Sequence, residues 1–101
     1  MPINPPPCDT NASWPAAPLR RAPEYNTMSA PKSVEFILVD VVSCADPENS
    51  FQVTAYSSSP GVIQFALPET MEPGDWELTA HLYPRDACPP FDLGPTVMEV
   101  E

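Results

Sequence analysis

Asp75-Trp76-Glu77-Leu78-Thr79-Ala80-His81-Leu82-Tyr83 decides how this chain folds. Trp76, Leu78, Ala80 and Leu82 fall on one side of an extended backbone, and Glu77, Thr79, His81 and Tyr83 on the other. A period of two marks a strand with one buried and one wetter face. Pro73-Gly74 just before it fits a tight turn, because proline presets its φ and glycine accepts a positive one.

The same texture extends in both directions. Residues 34–42, VEFILVDVV, are dense in β-branched and aromatic side chains and read as a strand buried on both faces. The ADPEN turn at 45–49 ends it. Phe51, Val53 and Ala55 then alternate with Gln52, Thr54 and Tyr56 as a half-exposed strand. After the SSSPG turn at 57–61, residues 62–67 place Ile63, Phe65 and Leu67 on one face. A proline-rich loop, 84–95, leads to a last strand at 96–101, with Val97 on one face and Met98 and Val100 on the other. Proline interrupts every candidate helical stripe. Five short strands separated by turns predict an all-β chain, a small antiparallel β-sandwich or open barrel.

At Pro73-Gly74-Asp75-Trp76-Glu77-Leu78-Thr79-Ala80 the chain resembles immunoglobulin-like and fibronectin-like modules. In these a Pro-Gly turn introduces a strand whose aromatic, leucine and small residues point into a sandwich. The resemblance covers these eight residues and implies an Ig-like fold style, with no function attached. Such modules have seven strands where five are legible here, so either the N-terminal segment adds strands or the domain is a reduced version.

Upstream of residue 33 the composition changes. The chain has 101 residues and 16 prolines, about three times ordinary usage. Eight of them lie within residues 1–31, a density that excludes helix and central strand. The expected organisation is an extended proline-rich arm over 1–32 and a β-sandwich domain over 33–101. Ile3, Trp14, Leu19, Tyr25 and Met28 dot the arm as anchors for a partner or, in the alternative, pack back on the arm's own body, since aromatic side chains seek burial. A 69-residue body (the remainder of the 101) is small for a self-sufficient core. It is expected to be completed by its own arm or by a neighbour.

Charge narrows the partners. Residues 1–32 carry three cations against two carboxylates, whereas 33–101 carry Arg85 against twelve carboxylates, giving a net charge of −10 for the chain. So acidic a body repels nucleic-acid phosphates and anionic lipid. No nucleic-acid or membrane partner is expected. The start of the chain shows no signal-peptide pattern, so synthesis in a cytoplasm is expected, with an extracellular location as the alternative if a leader has been removed. The Asn11-Ala12-Ser13 sequon carries weight only on a secretory route.

Chemistry has few footholds. His81, the only histidine, alternates with the core residues of its strand and reads as an exposed strand residue. Cys8, Cys44 and Cys88 lack the close spacing of compact zinc sites. In a reducing compartment all three are expected as thiols; on oxidation Cys44 and Cys88, each following a strand, are placed to meet. The loop acids form no calcium-loop pattern, and three glycines leave no phosphate cradle. Neither cofactor nor metal is expected, and the chain reads as a non-enzyme.

Two functions fit. In the first, the protein is a structural accessory component of a large assembly, a virion component of the capsid-decoration kind. It is anchored by its arm to a major capsid protein or other assembly subunits, with homo-oligomers allowed. In the second, it is a soluble or secreted β-sandwich binding module of inhibitor or adhesion type. That module presents the 85–95 loop, with Phe91 and Leu93 exposed at its tip.

Overall fold

The computed structural model describes residues 8–85 and 87–101. Six strands follow one another: β1 (Asn26–Ser29), β2 (Val34–Ser43), β3 (Ser50–Ser59), β4 (Val62–Phe65), β5 (Gly74–Pro84) and β6 (Phe91–Val100). All belong to one antiparallel sheet of order β1-β4-β3-β2-β5-β6, curled into a half-barrel, and no helix occurs among the described residues. The all-β expectation stands. The two facing sheets of a sandwich do not appear among the described strands, because every strand hydrogen-bonds into this one sheet. Within it β4-β3-β2-β5 is a Greek key: three strands linked by hairpins, then a fourth that returns beside the first.

The inner face follows from the alternation in the sequence. Ile37, Val39 and Val41 of β2 stand opposite Ala55, Val53 and Phe51 of β3 and Leu82, Ala80 and Leu78 of β5. Met28, Ile63, Phe65, Trp76, Met98 and Val100 extend this layer to both edges, all nearly inaccessible to solvent. Trp76 and Phe51 pack in a T-shaped pair, with centroids 5.8 Å apart, and the indole N–H donates to the Glu72 carbonyl at 2.9 Å. β2 is therefore fully buried on one face only, since Phe36, Leu38, Asp40 and Val42 on the other are half-buried.

The N-terminal segment lies over this inner layer. Ser13 pairs with Ser29 beside β1, and Cys8 is bonded to Cys88 in the β5–β6 loop. Further on, Leu19 reaches the opposite end of β6. Its N–H donates to Glu99 O at 2.7 Å, and its carbonyl accepts from Glu101 N–H at 2.9 Å. Ala22 N–H donates to Leu67 O at 2.8 Å, just past β4. Arg21 adds a bond from Nη1 to Met71 O at 2.6 Å and one from Nε to Glu101 O at 3.0 Å. Residues 19–22 thus bridge the end of edge strand β6 to the stretch after β4, which lies next to the other edge strand, β1. Asn26 holds the following turn: its buried amide accepts from Arg20 N–H and donates to Arg20 O, both at 2.8 Å. An extended arm free of the body does not appear among the described residues.

Two further expectations are corrected. The 85–95 loop is shorter than its prolines suggest, because β6 already begins at Phe91. Phe91 and Leu93 are half-buried, facing the core from opposite Leu82 and Ala80. The strand survives Gly94-Pro95 by a register shift between Leu78 and Ala80, where Gly94 takes φ +101°. A bulge is where a strand tolerates proline. The disulfide joins Cys8 to Cys88, with Cα atoms 5.8 Å apart, and leaves Cys44 exposed as a free thiol. Cys44 sits in the turn between β2 and β3, at the end of the sheet opposite the start of β6, and so cannot meet Cys88.

Candidate functional site

With the inner face covered by the chain itself, the outer face is the broad surface left to do work. Register fixes what it presents. One row runs Gln64, Tyr56, Phe36, Tyr83 across β4, β3, β2 and β5. Phe36 and Tyr83 stack with centroids 4.9 Å apart and planes inclined by 15°, while Tyr56 is 66% exposed.

The middle of the face is a polar chain across four strands. Gln52 Nε2 donates to Asp40 Oδ1 at 2.8 Å. Asp40 Oδ2 lies 2.7 Å from His81 Nε2, and His81 Nδ1 lies 2.7 Å from Asp92 Oδ1. Protonated, the imidazolium donates from both nitrogens to carboxylates; neutral, it leaves one nitrogen lone pair facing an anion. The hydrogen bond to Asp40, then that to Asp92, therefore raises the His81 pKa above its ordinary 6.5. The same bond, helped by Gln52, lowers Asp40 below 3.8. With both ring nitrogens engaged, His81 acts as a clamp joining β2, β5 and β6. No metal-binding group of three or more ligands occurs among the described residues.

Toward the start of β5 the face becomes acidic with aliphatic side chains between. Val42 stands opposite Glu77, Glu77 opposite Val97, and Asp75 opposite Glu99. Val97 is 57% exposed. Among the described residues no cation pairs with Asp75, Glu77 or Glu99, since the recorded bridges engage Arg20 with Glu24, Arg85 with Glu35, and His81. Like charges directly opposite in a sheet are destabilising.

A hollow of about 290 Å³ beside the 19–22 bridge brings Arg20 and Arg21 near Glu24, Glu69 and Glu101. Its cations are already engaged, Arg20 by Glu24 at 2.8 Å and Arg21 by two carbonyls.

The residues singled out from sequence separate. Ile3 lies outside the described residues. Leu19 (0% exposed) and Met28 (2%) are spent in the protein's own core and present no surface to a partner. Trp14 is half-buried against that core, its Nε1 buried without a hydrogen-bond partner among the described residues. Phe91 and Leu93 face inward, and only Tyr25, at 66%, stands open. Sequence reasoning passed over Phe36, Tyr56, Tyr83, Val97 and the His81 clamp. Alternation set Tyr56, His81, Tyr83 and Val97 apart from the core residues of their strands, whereas Phe36 lay in a strand read as buried on both faces, and only strand register brings them together. Comparison with known protein families, with curated proteins and with solved structures finds no match to this chain.

Proposed function

We propose that this protein is a non-enzymatic accessory component that binds another protein within a larger assembly, a virion component of the capsid-decoration kind. The observation that carries this is the asymmetry of the sheet. One face is sealed by the chain's own N-terminal segment, while the other offers half-buried Phe36, Leu38, Val42 and Tyr83 beside exposed Tyr56 and Val97. Surfaces that mix aromatic and aliphatic side chains within a polar surround are suited to protein contact. In this reading the segment 8–25 stands where a β-sandwich places its second sheet, so the fold is a minimal sandwich completed by an irregular layer. Contact with the partner then falls to the outer face, because Leu19 and Met28 are occupied internally.

A second reading draws on the Cys8–Cys88 disulfide. Such bonds persist outside reducing compartments, on virion and cell surfaces as well as in secreted proteins. A secreted binding module therefore shares this feature, although the inward turn of Phe91 and Leu93 removes the apolar tip from its loop. A sedimentation gradient of the native source, with peptide mass spectrometry locating the chain, separates the two. Co-sedimentation with a large particle supports the assembly component. A slow peak at the mass of the free 11.0 kDa chain replaces it with the soluble module.

A further inference from the structure

We infer that the outer face of the sheet docks a protein surface presenting lysine or arginine beside aliphatic side chains, with Asp75, Glu77, Glu99, Val42 and Val97 as its receiving patch. This rests on the protein-binding reading above and adds the chemistry of the partner. Three observations converge on it.

First, the patch alternates charge with apolar surface on a rigid frame. Val42 and Val97 flank Glu77 across β2, β5 and β6, and Asp75 and Glu99 follow in the next row. An aliphatic side chain seated between the valines places a neighbouring cation beside the carboxylates. Second, the carboxylates lack internal counterions among the described residues, and Asp75 faces Glu99 directly. A cation from outside turns that repulsion into attraction on both sides. Third, the far end of the same face carries the Tyr56, Phe36, Tyr83 row, in which Phe36 and Tyr83 stack on one another and the exposed Tyr56 ring can receive a guanidinium or ammonium group. A basic partner is thus served at both ends of the sheet.

Other occupants fit less well. A second copy of this chain on the same face sets carboxylates against carboxylates. Nucleic acid and anionic lipid meet the same repulsion, at a net charge of −10.

The test uses the full chain and two labelled synthetic peptides, one alternating lysine with valine and one alternating lysine with serine, read by fluorescence anisotropy. The Lys/Val peptide is expected to bind more tightly than Lys/Ser, and binding should fade in 1 M salt, where the screening length is about 3 Å. Glu77→Lys with Glu99→Lys should weaken Lys/Val binding by at least about tenfold, since like-charge juxtaposition disfavours the complex. Glu69→Lys with Glu72→Lys makes the same change in net charge away from this face, and should weaken it by less than about twofold through long-range screening alone. Val97→Ser should remove most of the preference for valine over serine. All five positions are exposed, so circular dichroism is expected to be unchanged. Equal weakening by the two double variants would reduce the effect to nonspecific attraction and overturn the inference, as would equal binding of the two peptides. A dimer of the chain alone that Glu77→Lys with Glu99→Lys strengthens would also overturn it, by making a second copy the occupant. None of these failures touches the assembly reading, which the sedimentation gradient decides separately.

Discussion

Leu19→Ala tests whether the proline-rich segment belongs to the body of the protein or is held in reserve for a partner. Leu19 is fully inaccessible and lies in the cluster with Met28, Phe65, Leu67 and Val100. Truncating a buried leucine costs about 2–5 kcal/mol, with the upper part of that range where the surroundings cannot collapse. Collapse is restricted here, because the Leu19 backbone is bonded on both sides, at 2.7 Å to Glu99 and 2.9 Å to Glu101. Ala22, three residues on, is tied to Leu67. A loss of about 3–5 kcal/mol is therefore expected. At about 4–8 °C per kcal/mol for a domain of this size, the Tm should fall by at least about 12 °C. Tyr25→Ala, in the same segment but exposed, should cost no more than about 0.5 kcal/mol. Urea melts of the two variants beside the parent chain measure both values. If Leu19→Ala and Tyr25→Ala agree within about 0.5 kcal/mol, the segment does not complete the core and the architecture described above is wrong.

The disulfide closes a span of 80 residues, and in the chain-entropy view a loop of this length contributes about 4–5 kcal/mol. Cys8→Ser with Cys88→Ser should lose that much in a denaturant melt, Cys44→Ser almost nothing, and native protein should titrate as one thiol per chain; three thiols would refute the pairing. The His81 clamp gives stability a pH signature. The His81 pKa is raised on folding, so its contribution is complete below 6.5 and is lost as pH rises through the higher folded value. Asp40 is lowered, so its share is present above 3.8 and is lost as pH falls through its folded value. The stability gap between the parent chain and His81→Gln should therefore be widest near pH 5–6 and shrink on the alkaline side; a gap that is flat with pH would remove the clamp. Gly94→Ala puts a Cβ 2.7 Å from Leu78 O at φ +101° and should destabilise by about 1–3 kcal/mol or more. Gly74→Ala, at φ +134° with open space around it, should show backbone strain alone and a smaller loss.

Alternation was the most readable signal. Trp76, Leu78, Ala80 and Leu82 face the core as their spacing implies, as do Ile63, Phe65 and Leu67, and Val97 stands outside while Met98 and Val100 are buried. β1 escaped notice because Asn-Thr-Met-Ser is short and mostly polar, and its extended form depends on pairing with β4. The first half of β6 was hidden between Pro89-Pro90 and Gly94-Pro95, where local chemistry argues for a loop and the bulge opposite Leu78 and Ala80 overrides it. The partner of Cys88 was hidden for a related reason, since Cys8 lies in a stretch with no strand pattern to place it. The outer-face site was half legible. His81 was rightly placed opposite the core side of its strand, but Asp40 is 41 residues away from it and Asp92 is 11. Only the pairing of β5 with both β2 and β6 makes them neighbours.

The distribution of prolines explains how so short a chain builds this asymmetry. Within the strands, proline appears only where a ladder donor is dispensable, as Pro84 at the end of β5 and Pro95 at the β6 bulge. The remainder sit in turns and in the N-terminal segment. There proline narrows the unfolded ensemble and lowers the entropy lost on ordering. A covering layer restrained in this way can be held by a few bonds, at Ser13, Leu19 and Ala22, with one disulfide at its start. It therefore needs no second sheet to seal the core. The opposite consequence falls on the outer face, where stability alone would favour cation–carboxylate pairs across strands. Asp75 against Glu99 runs against that preference, although exchanging one acid for lysine at these exposed positions would relieve it without disturbing the core. A conflict so easily removed, sited beside exposed Val97, fits the docking of a basic partner proposed for this face.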